Sequence, residues 1–363
     1  MKSRAVVPAL AVVSSVVFAA GTARGHVDYV TDTTGGDVGA LVRAVVTSPV
    51  SVALLAGGAV AVLLTATAYL RFAGRVPDVE VARRTLRSYQ PYLPWMLRLS
   101  IGLPLVGAGF AGYLFSPAVP TAARLPQLLL GFLFLFGLAT RLAAVAGLLL
   151  YLGSLALHFP ALLLASEYVA GFLGILLVGP GQPSADMLLE RLVVTDGTLA
   201  SRFRDVPTAG DLLAGAGLTR RLAPIPVRLF LGCNFAYLGV TQKWLQPAAG
   251  YAVVAQYDLT ALVPVSPELW VFGAGLVEVV VGVLFVTGTF TRGAAAVGFV
   301  LLTTTLFGLA NDPVLAHVTL FGLSSVLMVT GSGAFALDTT VLPALRRRLD
   351  PTDAATSDRG TAG

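Results

Sequence analysis

The segment between Glu268 and Asp312 constrains this chain more than any other feature. Its 43 residues include only two charged side chains, Glu278 and Arg292. A helix that crosses the hydrocarbon core of a bilayer needs roughly 20 mainly apolar residues. The segment is therefore long enough for two membrane spans, and Arg292 marks either the turn between them or a functional group within one of them.

The rest of the chain has the same character, with 56% hydrophobic and only 12% charged residues. A soluble domain carries about 25% charged residues, so this chain has too few to cover a water-facing surface. The apolar runs are continuous and do not alternate as β-barrel strands do. We therefore predict an all-α integral membrane protein. Its basic pI of about 9.6 fits the cationic cytoplasmic loops of membrane proteins, and no nucleic-acid partner is expected.

The N-terminus is typical of an export signal. Lys2 and Arg4 precede an apolar stretch over residues 5–20, which small residues follow. This order of features predicts a signal peptide over residues 1–25, and an uncleaved signal anchor is the alternative. Residues 26–48 contain aspartates and glycines and are expected to form a solvated extracytoplasmic segment.

Nine further apolar segments predict transmembrane helices. The first, 49–70, is an extra span, and the other eight fall into two groups of four on either side of a linker at 187–225. The predicted spans are 49–70, 94–116, 126–140, 142–163, 166–180, 226–246, 268–290, 293–310 and 313–331.

The arginines predict the orientation of these spans. They are concentrated in residues 71–93, in the linker up to residue 225 and in the tail at 339–363. Because cytoplasmic loops carry an excess of Lys and Arg, we expect these segments to face the cytoplasm. The protein is predicted to lie in the cell membrane in contact with lipid, with its mature N-terminus outside and its C-terminus inside.

Two parts of the chain repeat each other. Residues 131–147 and 282–298 share nine identical positions at a constant offset of 151, including Arg141 with Arg292. Upstream, "RLSIG" beginning at Arg98 matches "RLFLG" beginning at Arg228. The order of elements predicts a tandem duplication of a four-helix unit, over 94–186 and 226–338. An even number of spans per unit makes the two units parallel.

The four repeated arginines, Arg98, Arg141, Arg228 and Arg292, lie near predicted inner helix ends. From there a long side chain can extend to the lipid headgroups. We therefore interpret all four as structural residues that anchor the topology.

With both units compared, the chain resembles the DoxX family of small four-helix membrane proteins. The matching motifs are the "RLxxG" start of a first helix, "TRxAA" at the start of a third helix, and a closing "GPGxxSxD" that ends at Asp186. The second unit also keeps Lys243 and Glu278, as family members often do. The first unit has Tyr113 and Gln127 at those places, and it keeps a family-like "HFP…EY" that begins at His158.

The resemblance implies a membrane protein linked to respiration or redox chemistry, because the family includes the membrane subunit of a thiosulfate:quinone oxidoreductase. Quinone is the cofactor that it implies, with a soluble or membrane-bound redox partner. The alternative is a non-catalytic scaffold or a small-solute carrier, and the sequence leaves open whether the chain is itself catalytic. Histidine ligands are scarce and nucleotide motifs are lacking, so no haem, metal or nucleotide is expected.

Glu278 is the strongest functional candidate, with Lys243 as its charged partner. Eleven residues after Pro267, Glu278 should lie roughly 16 Å into the bilayer, near its midplane. An ionisable residue there is costly and usually faces a cavity or the bundle interior. A buried structural pair, or a glutamic acid kept neutral, is the alternative. The expected quinone or solute pocket would add polar groups from Asn234, His317, His158 and Glu167.

Overall fold

The computed structural model describes residues 35–72, 75–308 and 314–349. In these residues six helices are long and apolar enough to cross a membrane, judged by length and composition. The prediction of an all-α integral membrane protein is confirmed. The predicted signal segment, residues 26–34 and the end of the tail at 350–363 lie outside the described residues.

Three helices precede the first group of four. The second of them is a long apolar helix with Ser51 as its single buried residue, so almost its whole surface is available to lipid. The third begins with a proline, whose fixed φ suits the first turn of a helix, and is amphipathic. The helices are α1 (Val38–Thr47), α2 (Pro49–Phe72) and α3 (Pro77–Ser88).

Helix α1 lies within the predicted extracytoplasmic segment 26–48. Most of its residues are exposed, whereas Leu41 and Val45 are buried. They pack in one apolar cluster with residues of the second half of the chain, such as Val271. The apolar positions of this helix lie four residues apart and therefore share one face.

The first half of the chain forms a group of four helices with a short hairpin. The hairpin strands are antiparallel and lie between the first two helices. The elements are α4 (Leu93–Ala111), β1 (Tyr113–Leu114), β2 (Ser116–Pro120), α5 (Leu125–Phe136), α6 (Thr140–Leu157) and α7 (Glu167–Val178).

The hairpin corrects the predicted span 94–116. Helix α4 ends at Ala111 because Gly112 adopts a left-handed conformation, with φ of 83°, which stops a helix and costs glycine little. Helices α5 and α7 have only 12 residues each, shorter than the predicted spans. The hairpin and the turns at residues 158–166 take up the remaining length.

The linker holds two short helices, and a second group of helices follows. The last helix of this group has 17 residues and, like α5 and α7, is too short to count among the six spanning candidates. The elements are α8 (Ala185–Val194), α9 (Ala209–Gly215), α10 (Pro224–Tyr237), a π-helix (Leu238–Trp244), α11 (Pro247–Gln256), α12 (Leu259–Leu262), α13 (Pro267–Thr287), α14 (Thr291–Gly308), α15 (Val314–Thr330), α16 (Leu337–Thr340) and α17 (Leu342–Leu349).

The two halves pack in the same way and against each other. In each half the first helix packs on the second, as α4 does on α5 and α10 on α13. Across the halves, α4 packs on α15 and α10 packs on α7. Buried apolar side chains of both halves form one continuous core.

Candidate functional site

Arg98 is buried near the start of α4, with 2% of its surface exposed. Its guanidinium donates to the carbonyl oxygens of Phe134 and Leu135 at the end of α5, at 2.7 and 2.9 Å. It also donates to those of Pro180 and Pro183, at 2.9 and 2.8 Å. The last carbonyls of a helix have no partner within the helix, so Arg98 supplies donors to them.

Arg228 does the same in the second half, where it is 3% exposed. It donates to the carbonyl oxygens of Val286 at 3.4 Å, Ala334 at 3.3 Å and Phe335 at 2.9 Å. Its Nε has no hydrogen-bond partner among the described residues. The prediction that Arg98 and Arg228 extend to the lipid headgroups is therefore wrong, because both side chains turn inward to backbone carbonyls.

Arg141 and Arg292 are half-buried and join the third helix of each half to the fourth. Nε of Arg141 donates to the carbonyl oxygen of Leu176 at 3.1 Å. Arg292 donates to those of Met328 and Val329 at 2.9 and 3.0 Å. Arg292 thus lies at the turn between two helices and caps the end of a third. A cation is also favourable at the C-terminal end of a helix dipole.

Two aspartates also cap helix ends, a role that the sequence analysis did not predict. The Asp186 carboxylate accepts from the backbone N–H groups of Ala139 and Thr140 at 2.5 and 2.8 Å. Asp338 accepts from those of Phe290 and Thr291 at 2.7 and 3.0 Å. Each caps the start of the third helix of its half. The matched position of the two aspartates was the available signal.

Glu278 lies at the closest contact between the first and second helices of the second half. A Cβ added at Gly239 would come 2.6 Å from the carbonyl oxygen of Gly275 and 3.1 Å from Cβ of Glu278. Oε2 of Glu278 is buried and has no hydrogen-bond partner among the described residues. Ten residues before Gly288, Glu278 lies about 15 Å from the end of α13, close to the middle of a bilayer core about 30 Å thick.

Lys243 lies on the π-helix that continues α10. It acts electrostatically on Glu278, but no salt bridge within 4.0 Å joins the two in the described part of the chain. The next residue, Trp244, donates through its indole N–H to the carbonyl oxygen of Phe272 at 3.1 Å. Single π-helical turns occur often at functional sites, and this one separates the lysine from a direct ion pair.

Gln127 holds the corresponding position in the first half, and its side-chain amide makes three hydrogen bonds. Its Oε1 accepts from the backbone N–H of Phe115 at 3.1 Å. Its amide donates to the carbonyl oxygens of Leu105 and Tyr113 at 3.3 and 3.2 Å. Gln127 therefore holds the hairpin to the helices, whereas Oε2 of Glu278 has no hydrogen-bond partner among the described residues.

A second polar centre lies between the halves, where Asn234 of α10 meets Glu167 of α7. Both are buried, at 3% and 5% exposed. The Asn234 amide nitrogen donates to Glu167 Oε2 at 2.9 Å and to the carbonyl oxygen of Leu164 at 2.7 Å. Neighbouring Tyr168 hydrogen-bonds to Thr319 of α15, so polar contacts at this level join both halves.

The two predicted histidines have different positions. His158 is exposed at the end of α6, and its part in a quinone or solute pocket stays a prediction. His317 is buried on α15, and its Nε2 lies 3.5 Å from the hydroxyl of Thr305. It is two residues from Thr319, which bonds to Tyr168 next to Glu167.

Comparison with known proteins finds a family match in the second half of the chain. Residues 223–311 match the DoxX family model. The chain carries a DoxX domain. The matched segment begins one residue before α10 and continues past the end of α14. It contains Arg228, Asn234, Lys243, Glu278 and Arg292. No curated protein and no solved structure matches the chain, so the free Glu278 oxygen and the Asn234–Glu167 contact are interpreted from geometry.

Proposed function

We propose that the DoxX domain binds a quinone beside Glu278 and that Glu278 exchanges a proton with it. The buried Oε2 of Glu278 without a partner carries this proposal. A buried polar atom normally has a hydrogen-bond partner, and the equivalent Gln127 has three. Quinone sites need an apolar slot and a few polar groups directed at the carbonyl oxygens, and in this proposal Glu278 Oε2 is one of those polar groups.

The residues of the chain have separate roles in this proposal. A bound quinone would accept two electrons and two protons, with the electrons supplied by a reduced sulfur compound through a redox partner. Glu278 would donate one of these two protons to the quinone, and the second would come from water. Lys243 keeps a positive charge near Glu278 without pairing with it, which favours the ionised form after the proton has left.

We also infer that the two halves are a tandem duplication in parallel orientation. Support comes from Arg98 and Arg228, which cap the same helix ends, and from Asp186 and Asp338, which cap the same helix starts. The end of the bundle with these caps also holds the arginine-rich segments. In this proposal that end faces the cytoplasm, and the hairpin and the π-helix face outward from the cell membrane.

The test uses purified full-length protein and a short-chain menaquinone analogue. Trp244 lies next to the site, so binding should quench its fluorescence in a Trp95→Phe/Trp270→Phe background. Glu278→Gln, which cannot release a proton, should remain folded and bind the analogue, with quinone-dependent activity lowered by about 100-fold. Lys243→Met should not restore that activity.

Gln127→Leu is the matched control at the equivalent position. It should lower thermal stability, because it removes three hydrogen bonds, but folded protein should bind the analogue normally. Full activity in Glu278→Gln, or no quenching in the parent protein, would refute the proposal. Transport of a solute by reconstituted protein without redox activity would instead support the carrier alternative.

A further inference from the structure

The contact between Asn234 and Glu167 has an unsatisfied atom. Oδ1 of Asn234 is buried and has no hydrogen-bond partner among the described residues. The orientation of the amide is fixed by the carbonyl oxygen of Leu164, because a backbone carbonyl can only accept and it faces the amide nitrogen at 2.7 Å. The free oxygen therefore cannot be exchanged with the nitrogen by turning the amide over.

Two hydrogen bonds to the Glu167 carboxyl favour a negative charge, one from its own backbone N–H and one from the Asn234 amide, and burial of the carboxyl opposes it. No salt bridge to Glu167 is found in the part of the chain that the structure describes. The titratable groups that act on it are phenols, Tyr151 of α6 and Tyr168 of its own helix. Glu167 lies at the start of α7, the positive end of the helix dipole. The dipole stabilises an anion by less free energy than the burial of an unpaired ion costs.

The depth of the contact makes an ion still less favourable. Glu167 begins α7, twelve residues before Gly179, and Asn234 lies ten residues after Pro224. Both are therefore about 15 to 18 Å from the same end of the bundle, near the middle of a bilayer core about 30 Å thick. Water is scarce there, so a charge can be supported only by protein groups.

We propose that Glu167 is a proton-binding site between the two halves, in which Oε1–H donates to Oδ1 of Asn234. With the observed bond from the Asn234 nitrogen to Oε2, this closes an eight-membered acid–amide ring. One proton thereby satisfies the orphaned oxygen and removes the unpaired charge. The site is separate from Glu278, and it does not depend on the proposed function.

The proposal has a chemical consequence for how the halves associate. An ionised Glu167 would present an acceptor to the Asn234 oxygen, which is also an acceptor, and the two would repel. Because Asn234 belongs to α10 and Glu167 to α7, loss of the proton would weaken a contact between the halves. The ligand of this site is thus a proton, and a metal cation is the competing occupant.

Infrared spectroscopy of the purified full-length protein tests the site. At neutral pH the protein should show the C=O stretch of a protonated carboxyl group, which shifts in deuterium oxide. Glu167→Gln should remove the part of this signal that comes from Glu167, while any part from a protonated Glu278 stays. It should keep the fold, because its amide can donate to Asn234 in the place of the proton. Glu278→Gln is the matched control and should leave the signal of Glu167 in place.

Asn234→Leu provides a second measurement if Glu167→Gln does not fold. It removes the acceptor while the carboxyl remains, so the signal should persist at a higher frequency. The proposal is overturned if folded Glu167→Gln loses no protonated-carboxyl signal. It is also overturned if Asn234→Leu leaves the frequency unchanged, or if sodium alone abolishes the signal, which would assign the site to a metal cation.

Discussion

Buried arginines in an apolar bundle act here as backbone caps. Arg98 makes four hydrogen bonds to carbonyl oxygens between 2.7 and 2.9 Å, and Arg228 makes three between 2.9 and 3.4 Å. A planar guanidinium can reach several carbonyls at once, which the single nitrogen of lysine cannot do. The better geometry of Arg98 should make it the more important of the two.

Arg98→Met is therefore expected to destabilise the protein more than Arg228→Met. Each buried carbonyl that loses its partner costs about 1–3 kcal/mol, and the losses are not additive. We expect about 3–5 kcal/mol for Arg98→Met and a smaller loss for Arg228→Met. Thermal unfolding in detergent measures the difference, and Arg98→Lys should recover only part of it. Equal stability of both methionine variants would contradict this ranking.

At the scale of helices, the third helix of each half begins at a carboxylate from beyond its fourth helix. Asp186 and Asp338 each accept two backbone N–H bonds. These aspartates lie 46 to 48 residues from the groups that they cap. Each aspartate thus connects the segment after the fourth helix of its half to the start of the third helix.

Replacing either aspartate by alanine should lower the free energy of unfolding by about 1–2 kcal/mol, as for other lost N-caps. Hydrogen exchange should speed up at Ala139 and Thr140 in Asp186→Ala, and at Phe290 and Thr291 in Asp338→Ala. Asp196→Ala is the control, because Asp196 is an exposed partner of Arg204 and should change stability by less than about 0.5 kcal/mol. Unchanged exchange at these amides would argue against the capping role.

The sequence predicts most helices but not how they end. Continuous apolar runs identify helical spans by length, yet they do not show that residues 113–120 form a hairpin, since the apolar run continues into its first residues as far as Phe115. The π-helix around Lys243 has no pattern of its own either. Glu278 was found because a lone charge in an apolar run stands out. The contact of Asn234 with Glu167 could not be found from the sequence, because it joins residues 67 positions apart on helices of different halves.

The two halves of the molecule are alike at one end of the bundle and different at the other. At the arginine end, the capping bonds of one half recur in the other. At the opposite end the first half is closed by a hairpin and Gln127, whereas the second half has a π-helix, Lys243 and a glutamate with a free oxygen. The quinone chemistry proposed for Glu278 therefore belongs to the second half.

This asymmetry gives the orientation of the molecule a functional meaning that single cysteines can test. In a Cys233→Ser background, cysteines at Ser88 and Ser201 should resist membrane-impermeant thiol reagents in intact cells, since both positions lie in arginine-rich segments that should remain inside. Cysteines at Ala122 and Ala261, near the hairpin and after α11, should react. All four should react once the cells are permeabilised. Labelling of Ser88→Cys and Ser201→Cys in intact cells, with protection of the other two, would invert the orientation and place Lys243 on the cytoplasmic side.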